Sequence, residues 1–188
     1  ARDEEEANRL IDPIAAALKE RLGDAVYGEG ETDLETVVAE QLLQKQLTLA
    51  VAESCTGGMI ASKLVEYPGI SAALVEGCVT YSNEAKMHRL GVKAETLEKY
   101  GAVSEETAKE MAEGIARTSG ADIGLATTGV AGPESSEGKP VGLVYIAVAY
   151  KGKTEVYTCH FVGKRNKIRE RAAYTALNRL RKGINDEA

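Results

Sequence analysis

Leu47-Thr48-Leu49-Ala50-Val51-Ala52-Glu53-Ser54-Cys55-Thr56-Gly57-Gly58 is the run from which an architecture can be worked out. Leu47–Ala52 is short and largely apolar, which suits a buried strand. From about Gly57 to Glu66 the pattern turns helical, and Pro68-Gly69 stops it. A buried strand passing directly into a helix is a unit of layered α/β domains. Its junction is where backbone N–H groups and a helix N-terminus hold anions and oxyanions. Two candidate nucleophiles, Ser54 and Cys55, stand there side by side, and the glycines after them allow close backbone approach.

Downstream, Ala73–Tyr81 reads as a second strand, and Asn83–Leu90 and Ala94–Tyr100 as short helices. Ser104 is an N-cap with Glu105 and Glu106 in the first turn, opening a helix to Ser119 with Ala108, Met111, Ala112 and Ile115 on one face. Ile123–Thr127 is a strand leading into Gly129-Val130-Ala131-Gly132-Pro133. Val141–Tyr150 and Thr154–Phe161 flank Lys151-Gly152 and predict a hairpin, before a last helix over about Lys164–Arg181.

Upstream, residues 3–22 have helical periodicity through Leu10, Ile14, Ala17, Leu18 and Leu22, ended by Gly23. Ala25-Val26-Tyr27 is a short strand candidate. Thr32-x-x-Glu35 matches a capping box that opens a helix through Val37, Val38, Leu42 and Leu43, which puts a boundary near residue 31. Interleaved strands and helices with one late hairpin predict a three-layer α/β/α sandwich with a mixed sheet, plus a short N-terminal α/β appendage.

A chain of 188 residues is long enough for a core without disulfide staples. With 44% apolar and 28% charged residues it falls in the globular class, and no apolar run is long enough to cross a bilayer. Residue 1 is Ala, and the opening Asp3–Glu6 reads as mid-protein sequence, so a piece of a longer chain is expected. Cys55, Cys78 and Cys159 lack CxxC spacing and are odd in number, which disfavours a disulfide framework and a zinc site and suits a reducing cytoplasm. With only His88 and His160, a His-rich metal site is not expected. The net charge of −6 is uneven: residues 164–182 hold eight Lys or Arg and one acid, the rest 15 basic and 28 acidic residues. The acidic body argues against broad nucleic-acid binding, while the basic strip could hold one phosphate.

Each polar cluster admits a plain reading beside a chemical one. Ser54 needs a base and an oxyanion site to act as a nucleophile, whereas by spacing alone Ser54 or Thr56 would more often cap a helix. Ala52 and Glu53 before the serine exclude a G-x-S-x-G elbow. Cys55 could pair with His88 or His160, but neither histidine has a motif around it, so a small buried thiol is the better reading. In Tyr81-Ser82-Asn83-Glu84-Ala85-Lys86, Lys86 serves as a base only if something keeps it neutral. Ser82 and Lys86 could form a local i, i+4 dyad, or the segment is a capped helix start with Lys86 in water, which the sequence alone favours. Thr127-Thr128-Gly129-Val130-Ala131-Gly132-Pro133 suits an amide, ribose or phosphate, or is a tight turn. No Gly-Lys-Ser/Thr follows, so it is no Walker loop. Lys164, Arg165 and Arg169 could hold a phosphate, arginine being the better fork.

Taken in order, Ala52–Gly58, Val79-Thr80-Tyr81-Ser82-Asn83-Glu84-Ala85-Lys86, Gly101-Ala102-Val103-Ser104, Gly129–Pro133 and Lys139-Pro140-Val141-Gly142 closely resemble the C-terminal domain of the CinA family, the competence-damage-inducible proteins. The likeness covers about residues 33–183. It makes residues 33–188 the CinA C-terminal domain and residues 1–32 the end of a preceding KH-type middle domain. The same domain stands alone as a bacterial nicotinamide-mononucleotide deamidase. The resemblance therefore implies an amidohydrolase that converts nicotinamide mononucleotide and water to nicotinate mononucleotide and ammonia, without metal or cofactor. It implies Ser54 as nucleophile, Lys86 as base and Tyr81 as an aid to proton transfer or an orienter of the lysine. It places an oxyanion hole at the N–H groups around Thr56, Gly57 and Gly58, substrate contacts at Thr128, Gly129 and Gly132, and a phosphate contact at Arg165. Where some relatives have Ser-Gly, this chain has Thr128-Gly129, which keeps the hydroxyl. The expected setting is a cytoplasmic homodimer acting on a small nucleotide, with no membrane or nucleic-acid partner. The other reading is a catalytically silent module that binds a nucleotide or protein, with the basic C-terminal helix as its best support.

Overall fold

In a computed structural model describing residues 1–185, the chain divides into two units, Ala1–Asp33 and Leu34 onward. The first unit holds helix α1 (Glu4–Leu22), opened by Asp3, whose carboxylate accepts from the Glu6 N–H at 2.7 Å. None of its residues is buried, and Leu10, Ile14, Leu18 and Leu22 are each more than half exposed. The expected strand at Ala25–Tyr27 does not form. Gly23–Ala25 makes a 3-10 turn instead, because this unit offers no second strand to complete a ladder. The capping box does not form either. The Thr32 hydroxyl donates to the Glu29 carbonyl at 2.7 Å, and Glu35 pairs with Lys63.

In the second unit, α2 (Leu34–Gln44) precedes β1 (Leu49–Glu53), α3 (Met59–Val65), β2 (Leu74–Val79), α4 (Asn83–Ala85), α5 (Ala94–Tyr100) and α6 (Glu105–Ser119). Then come β3 (Ile123–Gly129), the hairpin β4 (Leu143–Tyr150) and β5 (Lys153–His160), and α7 (Arg165–Asn185). The sheet order is β2-β1-β3-β4-β5. β1 runs parallel to both β2 and β3, and the β3–β4 and β4–β5 pairs are antiparallel, so the sheet is mixed.

The alternation of side chains along β1 sorts the two faces. Leu49 and Val51 join a core of large aliphatics from α2, α3 and α7, while Ala50 and Ala52 face the cluster of Leu90, Leu97, Met111 and Ile115. The second face carries small residues because α6 lies very close to it. A Cβ on Gly124 of β3 would stand 2.0 Å from the Ala112 carbonyl oxygen. Ser104 caps α6 as expected, accepting from the Thr107 N–H at 3.2 Å, and Met111 and Ile115 are fully enclosed. Burying each stabilises the layer by about 1.5–3 kcal/mol. With β1, β2 and β3 parallel, their C-terminal ends open on one edge, where α/β sheets bind ligands. Ser54, Thr80 and Thr128 all lie there.

Candidate active site

The position of Ser54 is set by backbone pairing. The Ser54 N–H donates to the Thr127 carbonyl at 3.0 Å, extending the β1–β3 ladder one residue past the strand. The Thr80 N–H donates to the Glu53 carbonyl at 2.9 Å and does the same on the β2 side. These bonds bring the ends of all three strands together.

Lys86 reaches this point from the far end of a short helix. Ser82 caps α4, accepting from the Ala85 N–H at 3.1 Å, and is not part of a local dyad with Lys86. At Lys86 the chain widens into a π-helical turn through Leu90, an irregularity often found where a side chain has to be aimed. Lys86 is 1% exposed, so the solvated reading is overturned. Its Nζ lies 2.9 Å from the Thr80 carbonyl, 3.3 Å from the Tyr81 carbonyl and 3.3 Å from Ser54 Oγ. Among the described residues no carboxylate lies within ion-pair distance of it. Burial holds its amine below the ordinary lysine value of 10.5, with the charge of Glu137 acting in the opposite direction. Three acceptors match the three N–H groups of an ammonium, Nζ donating to both carbonyls and to Ser54 Oγ. In the neutral form two N–H groups keep the carbonyls and the lone pair faces the Ser54 hydroxyl.

Ser54 is not a helix cap. α3 begins after Gly58, and the Glu53 carboxylate accepts from the N–H groups of Gly58 (2.9 Å), Ile60 (3.2 Å) and Ala61 (2.9 Å). The Cys55 thiol is buried and pushed up to about 12, first by desolvation, so it stays protonated at neutral pH. Neither His88 nor His160 lines the cavity.

That cavity, about 250 Å³, collects Ser54, Lys86, Tyr81, Thr128, Gly129 and Arg165 from five parts of the chain. Tyr81 is 63% exposed, and its hydroxyl accepts from Arg165 Nη2 at 3.1 Å, while its main-chain carbonyl is what meets Lys86. The Thr128 hydroxyl donates to the Ala102 carbonyl at 2.7 Å. Arg165 also donates to the Gly132 carbonyl at 2.5 Å and keeps further N–H groups at the cavity mouth.

Thr56, Gly57 and Gly58 are not brought into this cavity. Thr56 is fully enclosed, with its hydroxyl 2.8 Å from that of Thr127. The Gly57 N–H is taken by the Ser54 carbonyl at 3.1 Å and the Gly58 N–H by Glu53, because the turn needs them to close. Both glycines face a separate open groove beside α3 and α7. The cavity-lining residue next to Ser54 is Cys55, whose N–H makes no hydrogen bond to another described residue. Gly132 contributes its carbonyl to Arg165 and does not line the cavity. Sequence reasoning missed Glu53 and Glu137. For Glu53 the signal was an acid placed between a buried strand and a helix start. Glu137 lines the cavity and accepts from the Ala102 and Val103 N–H groups at 3.1 and 3.2 Å, across an interval no local pattern reveals.

The model of the CinA C-terminal domain matches residues 31–184, nearly all of the second unit and the whole site. The chain belongs to the CinA C-terminal domain family. It is 55% identical over 184 residues to a competence-damage inducible protein of Clostridium perfringens (strain 13 / Type A), covering 97% of this chain and 45% of that one. It is 56% identical over 189 residues to one from Clostridioides difficile (strain 630), covering 96% and 45%. The chain thus spans under half the length of these curated relatives. Among solved structures, a CinA superfamily protein of Klebsiella pneumoniae 700603 superposes with a TM-score of 0.78 at 39% identity, covering 80% of this chain and 95% of that one. A competence or damage-inducible protein of Enterobacter asburiae gives 0.79 at 36%, covering 82% and 100%.

In this CinA C-terminal domain most of the basic side chains of residues 164–182 have partners within the fold, although several stay exposed. Arg165 and Arg169 bind main-chain carbonyls near the site, and Arg171 donates to the Val162 carbonyl at 2.6 Å. Lys167 pairs with Glu170, Arg179 lies over the Tyr157 ring at 4.2 Å, and Arg181 is buried. Six of the eight cations of residues 164–182 have such partners, which leaves the basic helix as weaker support for a silent nucleotide- or protein-binding module.

Proposed function

We propose that this domain is a serine amidohydrolase that deamidates nicotinamide mononucleotide. The observation that carries the reading is the buried Lys86 amine, without a carboxylate partner, 3.3 Å from Ser54 Oγ. A lysine kept neutral by desolvation is a base that needs no histidine. Ser54 Oγ attacks the carboxamide carbon while Lys86 takes its proton. The new oxyanion accepts from the Cys55 N–H, the donor next to the nucleophile. The C–N bond then breaks, and ammonia leaves with the proton returned by Lys86. Water adds to the resulting ester, giving its proton to Lys86. The ester C–O bond breaks, Ser54 regains its proton, and the acid is released.

Thr128 and Gly129 flank the carboxamide and ribose in this scheme. Arg165, braced by Tyr81 and Gly132, meets the phosphate with its remaining N–H groups. Tyr81 orients Lys86 through its carbonyl. No step calls on a cofactor. The reading carries with it a homodimer in a reducing cytoplasm, in keeping with three free thiols, and an N-terminal unit that is the end of a KH-type domain.

Ammonia release from nicotinamide mononucleotide, with wild type beside Ser54→Ala and Cys55→Ala, tests this reading. Turnover should vanish in Ser54→Ala and persist in Cys55→Ala. Loss in Cys55→Ala alone would reassign the nucleophile, and a folded wild type without turnover would end the deamidase reading.

A further inference from the structure

The loop that carries Ser54 is irregular from Ser54 to Gly58, so its peptide groups have no ladder to hold them. Ser54 is anchored at its N–H by Thr127, and its carbonyl accepts from Gly57. Glu53 takes the N–H groups of Gly58, Ile60 and Ala61. The carbonyls of Cys55 and Thr56 remain, in a part-buried place. Both are taken by one side chain from a distant helix: Arg169 Nε donates to the Cys55 carbonyl at 3.1 Å, and Nη2 to the Thr56 carbonyl at 2.9 Å. Asn166 Oδ1 accepts from Nη1 at 3.4 Å on the same helix.

Two further features fit this arrangement. A planar fork holds its donors at a fixed spacing, so it sets the separation of the two carbonyls it binds, whereas a lysine, as at Lys86, reaches two carbonyls from a single nitrogen and imposes no such spacing. Gly57 has φ +62°, and a Cβ there would stand 3.1 Å from Arg169 Nη2. Glycine at this position therefore both permits the turn and leaves room for the guanidinium.

We infer that Arg169 is a positioning residue: it clasps the peptides after Ser54 and so fixes the nucleophile against Lys86 and the Cys55 N–H toward the oxyanion. It lines the groove on the other side of the loop and not the cavity, so it acts through Ser54 and Cys55 without touching substrate. This rests on the serine–lysine reading given above. It assigns the two arginines of α7 different tasks, Arg165 for substrate and Arg169 for geometry.

The test compares wild type, Arg169→Lys, Arg169→Ala and Arg165→Gln in steady-state turnover of nicotinamide mononucleotide, and in the rate at which a fluorophosphonate labels Ser54. Arg169→Ala should lower kcat roughly 10²-fold with KM within about threefold, since small misplacements at a reacting centre cost that much. Arg169→Lys should recover little, while added guanidinium should restore part of the Arg169→Ala rate at an unchanged melting temperature. Arg165→Gln should instead raise KM. Unchanged kcat and labelling in Arg169→Ala would overturn the inference, as would a loss that moves KM equally and resists guanidinium. A wild type that labels but does not turn over the nucleotide would end the substrate reading alone, and Arg169 is then judged on labelling rate. A wild type that does neither ends both.

Discussion

Glu53 and Lys86 are each 1% exposed, at the two ends of the same cluster, and the fold treats them in opposite ways. The Glu53 carboxylate is surrounded by three backbone N–H groups at the start of α3, donors the helix leaves unpaired in any case. Its charge is met by the helix end and it faces no cavity. The Lys86 amine is given two carbonyls and a hydroxyl, opens onto a cavity, and among the described residues has no carboxylate at ion-pair distance. A buried charge with matched donors contributes stability. A buried amine left without an anion is displaced toward its neutral form, at a cost to the folded state. In the proposed mechanism the first holds the Ser54 loop in shape, and the second supplies its base.

The largest effect that could break this contrast is on turnover. Lys86→Met should lower kcat by about 10³-fold, within the range for loss of a positioned general base, without lowering the melting temperature. In wild type, kcat/KM should climb with pH with a midpoint below 10.5, because only the neutral amine accepts the Ser54 proton. Stability has a linked sign. The unfolded chain binds the Lys86 proton more readily than the folded one, so this lysine destabilises the fold at pH below its folded pKa, and the penalty fades as pH rises to 10.5. Any stability advantage of Lys86→Met in thermal melts should therefore shrink as pH rises. A variant with unaltered turnover, or a wild-type profile flat in pH, would remove Lys86 from the chemistry.

A middle-sized effect belongs to Glu53. Glu53→Gln keeps the size but replaces one accepting oxygen by an NH2 that confronts a backbone donor, so unfolding in denaturant should show a loss of about 2–3 kcal/mol. If Glu53→Gln melted like wild type while turnover fell to the level of Lys86→Met, the division of labour between the two would be wrong.

The smallest effect sits between them. Thr80 serves both sides through its backbone, its N–H to the Glu53 carbonyl and its carbonyl to Lys86, while its buried hydroxyl has no hydrogen-bond partner among the described residues. Thr80→Val should leave turnover intact and change stability by no more than about 1 kcal/mol, toward greater stability. A large loss in either assay would show that the hydroxyl has a task the geometry does not reveal.

Much of this was legible in the chain. The short apolar run Leu47–Ala52, the periodicity of Ala108, Met111, Ala112 and Ile115, the Ser104 cap and the Lys151-Gly152 hairpin are local patterns, and local physics wrote them correctly into elements. The candidates Ser54 and Lys86 could be named, but choosing between a cap and a nucleophile, or between a solvated and a buried lysine, could not be done from spacing. Those choices depend on which groups lie nearby after folding. Glu53 took over the capping of α3, and a π turn turned Lys86 inward. The same dependence explains the misses at Ala25–Tyr27 and Thr32, where local propensity had no partner strand or lost its side chain to another acceptor.

The amino-acid order alone therefore determined the layered α/β class, the strand–helix junction at residues 52–58 and the residue types on which a hydrolytic reading rests, because each follows from periodicities over a few neighbours. Only the tertiary structure decided that Lys86, 32 residues from Ser54 in sequence, lies 3.3 Å from it with no carboxylate at ion-pair distance among the described residues. It alone decided that the Gly57 and Gly58 amides are occupied and that Arg169, more than a hundred residues on, binds the Cys55 and Thr56 carbonyls before them. Burial and hydrogen-bond partnership are properties of an assembled surrounding, and no short stretch of sequence contains that surrounding.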